Sequence, residues 1–111
     1  MQYSVYQIKL DELDVNRING MSDPYKDPKF KAYRDAMAED FEAAKGHYQL
    51  VADIEATDLE HVFHIGNVGP EDKITRIGPM HSVSVGDVIV AASGEQYGVA
   101  GYGFTDLENM V

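Results

Sequence analysis

The chain has 111 residues, 44% of them hydrophobic, and nineteen Asp and Glu stand against nine Lys and Arg for a formal net charge of −10. That length suits one domain with a modest core and is too short for two. The absence of cysteine excludes disulfides, thiolate metal sites and a cysteine nucleophile, and the acidity opposes phosphate backbones and anionic lipid, so direct nucleic-acid binding is disfavoured.

Met1-Gln2-Tyr3-Ser4 shows no basic region leading into an apolar run, so no secretory signal is expected. No apolar segment approaches the roughly 18 residues of a membrane span. The expected location is the cytoplasm. Thirteen of the nineteen acids fall within residues 1–60. Such a distribution serves solubility, or it imitates DNA phosphates and fills a partner's basic groove.

Residues 3–9, Tyr-Ser-Val-Tyr-Gln-Ile-Lys, alternate aromatic and β-branched side chains. They predict a strand, and because neither face is purely polar, one well inside a sheet. Leu10 to Val15 reads as a polar connection, followed by an Asn19-Gly20 turn signal. Two Asp-Pro steps, at Asp23-Pro24 and Asp27-Pro28, disfavour helix before each proline but welcome one after it. A long helix over 28–45 is therefore expected, with Asp27 as N-cap. Its apolar face would be Phe30, Tyr33, Met37, Phe41 and Ala44, with Asp35, Glu39, Asp40 and Glu42 elsewhere around the wheel.

Residues 47–55 predict a second strand with Tyr48, Leu50, Ala52 and Ile54 inward. The long helix could cross over between the two strands, leaving them parallel, or a third strand could lie between them. Thr57 and Glu60 have capping-box spacing and open a short helix over 58–65, with Leu59, Val62 and Phe63 inward. Lys73 to Ile77 fits a short strand. From Met80 onward the pattern is clearest. Val83 and Val85 alternate with serines, Gly86-Asp87 makes a corner, and Val88-Ile89-Val90-Ala91 is apolar on both faces. Ser93-Gly94-Glu95 then turns the chain into a returning strand from Gln96 to Phe104, completing a hairpin over 87–104. Gly98, Gly101 and Gly103 in that strand signal close approach, a bulge or coiling. The expected fold is α+β: one domain over 1–111, a small coiled, mostly antiparallel sheet of four or five strands, and one long and one short helix packed on it.

Few residues suggest chemistry. His61 and His64 lie three apart on the short helix, and with Glu60 or His81 they would make a three-ligand metal site, the basis, with His81, of an alternative reading as a small His-dependent metal-binding enzyme. The spacing is not His-Glu-x-x-His, and His81 beside Ser82 and Ser84 is adjacency rather than triad geometry. Gly98, Gly101 and Gly103 precede no lysine and sit in a strand, so they are not a phosphate loop. A Val-x-Val-Gly-Asp-Val corner also recurs in small β-barrels of SH3 or PUA type, and the PUA type commonly binds RNA, but only Lys73 and Arg76 follow residue 60, too few for a basic face. No catalytic residue and no cofactor is assigned.

Several blocks, taken in order, resemble the YodL-like domain family of phage, plasmid and integrative-element proteins. They are Tyr3 to Lys9, Arg17-Ile18, Tyr48-Gln49-Leu50-Val51, Asp58-Leu59-Glu60-His61-Val62-Phe63, His81 to Ile89, Gln96-Tyr97 and Gly103-Phe104-Thr105. The chain departs from that pattern in its acidic, proline-flanked helix and in Gly86, where a small polar residue is expected. The resemblance implies a mobile-element or phage origin, hence the cytoplasm of a host cell, and offers no catalytic residues to carry over. The functional expectation is a non-enzymatic accessory protein that binds a host or phage protein with a basic surface, as an inhibitor of host defence or a DNA mimic. Asp35, Glu39, Asp40 and Glu42 would form its binding surface. A structural or assembly module, signalled by a homo-oligomer, is the blander alternative.

Overall fold

In a computed structural model that describes all 111 residues, six strands form one antiparallel sheet. They are β1 (Gln2–Gln7), β2 (Gln49–Glu55), β3 (Ile74–Arg76), β4 (Val88–Ala91), β5 (Gln96–Val99) and β6 (Phe104–Leu107), in the order β3-β2-β1-β4-β5-β6. Four helices accompany them: α1 (Glu12–Asn19), α2 (Pro28–Met37), α3 (Phe41–Ala44) and α4 (Leu59–Val68). The fold is α+β, as the periodicities imply, with more elements than they resolved. No helix is long and apolar enough to cross a membrane.

β1 lies mid-sheet, hydrogen-bonded to β2 on one side and β4 on the other. Its two covered faces explain why neither reads as polar. On one face Tyr3 and Val5 join Ile54, Ile89 and Val99 against Val62 and Ile65 of α4. On the opposite face two smaller clusters form, Ile8 with Ala32, Ala36 and Ala44, and Val88 with Phe41 and Met110. Each fully buried aliphatic side chain stabilises the fold by roughly 1.5–3 kcal/mol.

β1 and β2 are adjacent and antiparallel, so the helices between them form no parallel crossover. The register shifts between Val5 and Tyr6, where Val5 faces Ala52 but Tyr6 faces Leu50. Val51 is the extra residue of this bulge. Strict alternation therefore fails in β2: Val51 is buried and Leu50, expected inside, is exposed.

The expected continuous helix over 28–45 is two helices. α2 stops at Met37, and Glu39 takes a left-handed φ of 63°. Asp40 then starts α3 by accepting a hydrogen bond from the Ala43 amide at 3.2 Å. The break redirects Phe41 into the sheet, where a Cβ on Gly98 would lie 2.4 Å from the ring. Only glycine leaves room for that ring. The inward set is accordingly Ala32, Ala36, Phe41 and Ala44, while Met37 is half exposed.

Residues 10–15, read as a connection, lead into α1. Asp11 accepts from the Asp14 amide at 2.8 Å and Asp14 accepts in return from the Asp11 amide at 3.0 Å, a reciprocal cap. On α4 the cap is Asp58, which accepts from the His61 amide at 2.8 Å, rather than the Thr57–Glu60 pair. The helix runs to Val68, and Phe63, expected inward, is 40% exposed. The returning strand from Gln96 to Phe104 is also two: β5 ends at Val99, and a turn through Gly103 sends β6 back along it.

Candidate functional site

Two places gather polar groups. The first is built around Gln7 and Asp87, both buried. The Gln7 amide nitrogen donates to the His81 carbonyl at 2.9 Å and to Asp87 Oδ2 at 3.0 Å, while Gln7 Oε1 accepts from the His81 amide at 3.1 Å. Asp87 Oδ2 also accepts from the Ser84 amide at 2.9 Å. Burial pushes the Asp87 carboxyl up to about 6, against the lowering influence of the Ser84 amide, His81 and Gln7. Tyr48 donates to the Gly86 carbonyl at 2.7 Å, and burial raises its phenol too, with Asp87 adding to the effect.

This network fastens the segment before β4 onto the central strand. Gly86 is needed in it twice over: its φ is +97°, and a Cβ would lie 2.6 Å from the Ala36 carbonyl oxygen. A groove of about 510 Å³ opens beside it, walled by Ile8, Tyr33, Met37 and Val85. Its polar lining, Lys9, His81, Ser82, Ser84 and Asp87, mixes charges and converges on no single chemistry. The Gln7–Asp87 network ties the chain to itself and is structural.

The second place is the acidic face where the α2–α3 junction meets β6. Glu39, Asp40 and Glu42 line one cleft of about 520 Å³ together with Asp106 and Glu108, and Lys45 is the only cation in its lining. All five carboxylates are exposed. The left-handed Glu39 holds its side chain toward the β5–β6 turn, where Oε2 accepts from the Gly101 amide at 3.4 Å. Asp40 is partly committed as the α3 cap. Asp35, expected among these acids, is instead ion-paired with Lys31 at 2.7 Å and does not line the cleft. Asp106 and Glu108 were missed from sequence because they sit far along the chain, after a turn hidden in an apparently continuous strand.

A further cluster near α1 is self-neutralising. Asp14 takes Lys29 Nζ at 2.6 Å and Arg17 at 2.9 Å, and Arg17 also reaches Asp27 at 2.6 Å. Lys29, then the Asp11 amide and Arg17, hold the Asp14 carboxyl well below its usual range. Arg17 and the Phe30 amide do the same for Asp27. These acids bind internal cations and are not available to a partner.

The three histidines are not brought together as a metal site. His61 and His64 share α4, but the Nδ1 of His61 accepts from the Thr57 amide at 3.0 Å. His81 lies in the segment before β4 and donates from Nδ1 to the Ser82 carbonyl at 2.7 Å. No group of three His, Asp or Glu side chains is placed to hold a metal ion. Ser82 and Ser84 are exposed and neither hydroxyl is hydrogen-bonded to His81. Compared with known family models, curated proteins and solved structures, the chain matches none.

Proposed function

We propose that this is a non-enzymatic accessory protein of a phage or mobile element, which binds a basic surface on a host or phage protein through Glu39, Asp40, Glu42, Asp106 and Glu108. The observation that carries the reading is the joining of these five acidic residues, from two distant parts of the chain, in the lining of one cleft with a single lysine. The mobile-element origin rests on the resemblance of the ordered sequence blocks, and the basic partner rests on charge complementarity. Blocking a defence or nucleic-acid enzyme by occupying its phosphate-binding groove is the role that fits an acidic inhibitor. Asp35 drops out of the surface and Asp106 and Glu108 enter it.

The test is a fourfold neutral variant, Glu39→Gln, Glu42→Gln, Asp106→Asn and Glu108→Gln, which spares the Asp40 cap. The wild-type protein is expected to retain a basic partner from host lysate at about 50 mM salt and release it near 0.5 M, where screening shortens to a few ångströms. The variant should keep its circular dichroism spectrum and retain no partner. A partner held equally by both proteins would overturn the reading.

A further inference from the structure

We propose that β6 is a docking edge which accepts an extended segment of the partner as a seventh strand, a segment that alternates basic and apolar residues. The inference rests on the acidic-surface reading and adds the mode of recognition and the partner's sequence class. β6 ends the sheet, so alternate backbone N–H and C=O groups along its outer side have no strand to pair with. Thr105 and Asp106, in the middle of the strand, are exposed.

The two sides of that edge differ in chemistry. Toward α4 lies a hollow of about 250 Å³ formed by Phe63, Val99 and Phe104, with Glu60 at its rim. Toward α3 lies the cleft of Glu39, Glu42 and Glu108, while the side chain of Asp106, two residues from Phe104 and opposite Tyr97, stands on the α4 side. Side chains of an added strand point alternately to the two sides, so one set would meet aromatic surface and the other carboxylates. This arrangement gives a partner to Phe63, a large apolar side chain left 40% exposed on the outer side of α4.

A second copy of the chain is a poor occupant. An antiparallel pair of two β6 strands would gather Asp106 and Glu108 of both copies at one short edge, which like charges oppose. Pairing β6 with β3, the other edge, offers only three residues, and Arg76 there is already held by Glu71 at 2.6 Å. A cationic strand from a different protein suits the edge better on both counts.

The test uses a synthetic peptide of alternating lysine and valine, roughly eight residues long, and the same peptide N-methylated at every internal amide. The second keeps charge and apolar surface but has no N–H to donate to β6 along either of its edges. Binding followed by amide resonances of the isotope-labelled protein should show the unmodified peptide at least tenfold tighter, with hydrogen exchange slowed at Phe104–Leu107. Equal binding of the two peptides would overturn strand addition while leaving the acidic surface intact. So would slowed exchange confined to another strand, or concentration-dependent self-association of the free protein through β6. If neither peptide binds, the docking edge is refuted, and loss of the lysate partner in the fourfold neutral variant still decides the acidic surface separately.

Discussion

Replacing Asp87 with Asn is expected to stabilise the protein at neutral and alkaline pH, although it alters a buried, hydrogen-bonded residue. The asparagine oxygen can take the place of Oδ2 and keep both donors, the Gln7 amide at 3.0 Å and the Ser84 amide at 2.9 Å. What disappears is a carboxylate charge that burial disfavours. Its value in the folded chain is about 6 against an ordinary 3.8, and that difference corresponds to about 3 kcal/mol. The folded state therefore holds this proton more tightly than the unfolded chain. Stability from this group is fully present below about pH 4 and is lost as pH rises through about 6. Asp87→Asn, neutral throughout, should match the wild type at about pH 3 and exceed it by about 3 kcal/mol at pH 8. The chain contains no tryptophan, so urea melts followed by far-UV circular dichroism across pH provide the measurement. For a domain of this size the same difference raises the thermal midpoint by on the order of 10 °C. A stability difference that does not change with pH, or one that favours aspartate more at pH 8 than at pH 3, would refute the reasoning.

The opposite pH dependence is expected of the α1 cluster. Asp14 and Asp27 are held below their ordinary range by Lys29 and Arg17, so their stabilisation is present above about pH 4 and lost as acid titrates them. Arg17→Gln should lower the midpoint at neutral pH, with the deficit closing in strong acid; a deficit of equal size at both ends would point to packing alone. Gln7→Leu leaves the His81 amide and carbonyl and one side of Asp87 without a partner and should cost roughly 2–4 kcal/mol in urea unfolding. A cost under about 0.5 kcal/mol, the range of ordinary surface changes, would show the network to be dispensable. Gly98→Ala brings a methyl to 2.4 Å from Phe41 and should cost about 1–3 kcal/mol by overpacking. In a double-mutant cycle with Phe41→Leu the two costs should fall short of their sum; strict additivity would place the methyl elsewhere.

Much of the fold was legible because its signals are local. The alternation of Tyr3 to Lys9 located β1 and its two-sided burial, since a strand covered on both faces has no polar side to display. Val88 to Ala91 declared a second such strand in the same way. Asp27-Pro28 marked the start of α2, because a proline at the first helical position follows an aspartate whose side chain accepts the Phe30 amide at 3.0 Å. α1 escaped because it buries little beyond Ile18 and Asp14, too few residues for a periodic stripe. The only sequence signal for it was the Asp11–Asp14 spacing. The break at Glu39 escaped because a left-handed glutamate leaves no mark in the pattern; Asp40, an acid followed by Phe41 and Glu42, was the one clue that a new cap stood there.

The candidate surface divides along the same line. The amino-acid sequence alone determined the acidity, the lack of cysteine chemistry, the α+β class and the candidate carboxylates at Glu39, Asp40 and Glu42, all of which follow from composition or from nearest neighbours in the chain. Only the tertiary structure decided that Asp35 is neutralised by Lys31 and that Asp106 and Glu108 complete the cleft. Only it showed His61 and His81 held in separate hydrogen bonds and the three histidines not grouped for a metal. Which charges meet depends on how far the α2–α3 break and the β5–β6 turn swing distant segments together. Packing of Phe41 over Gly98 sets the first, and the antiparallel register of β5 with β6 fixes the second.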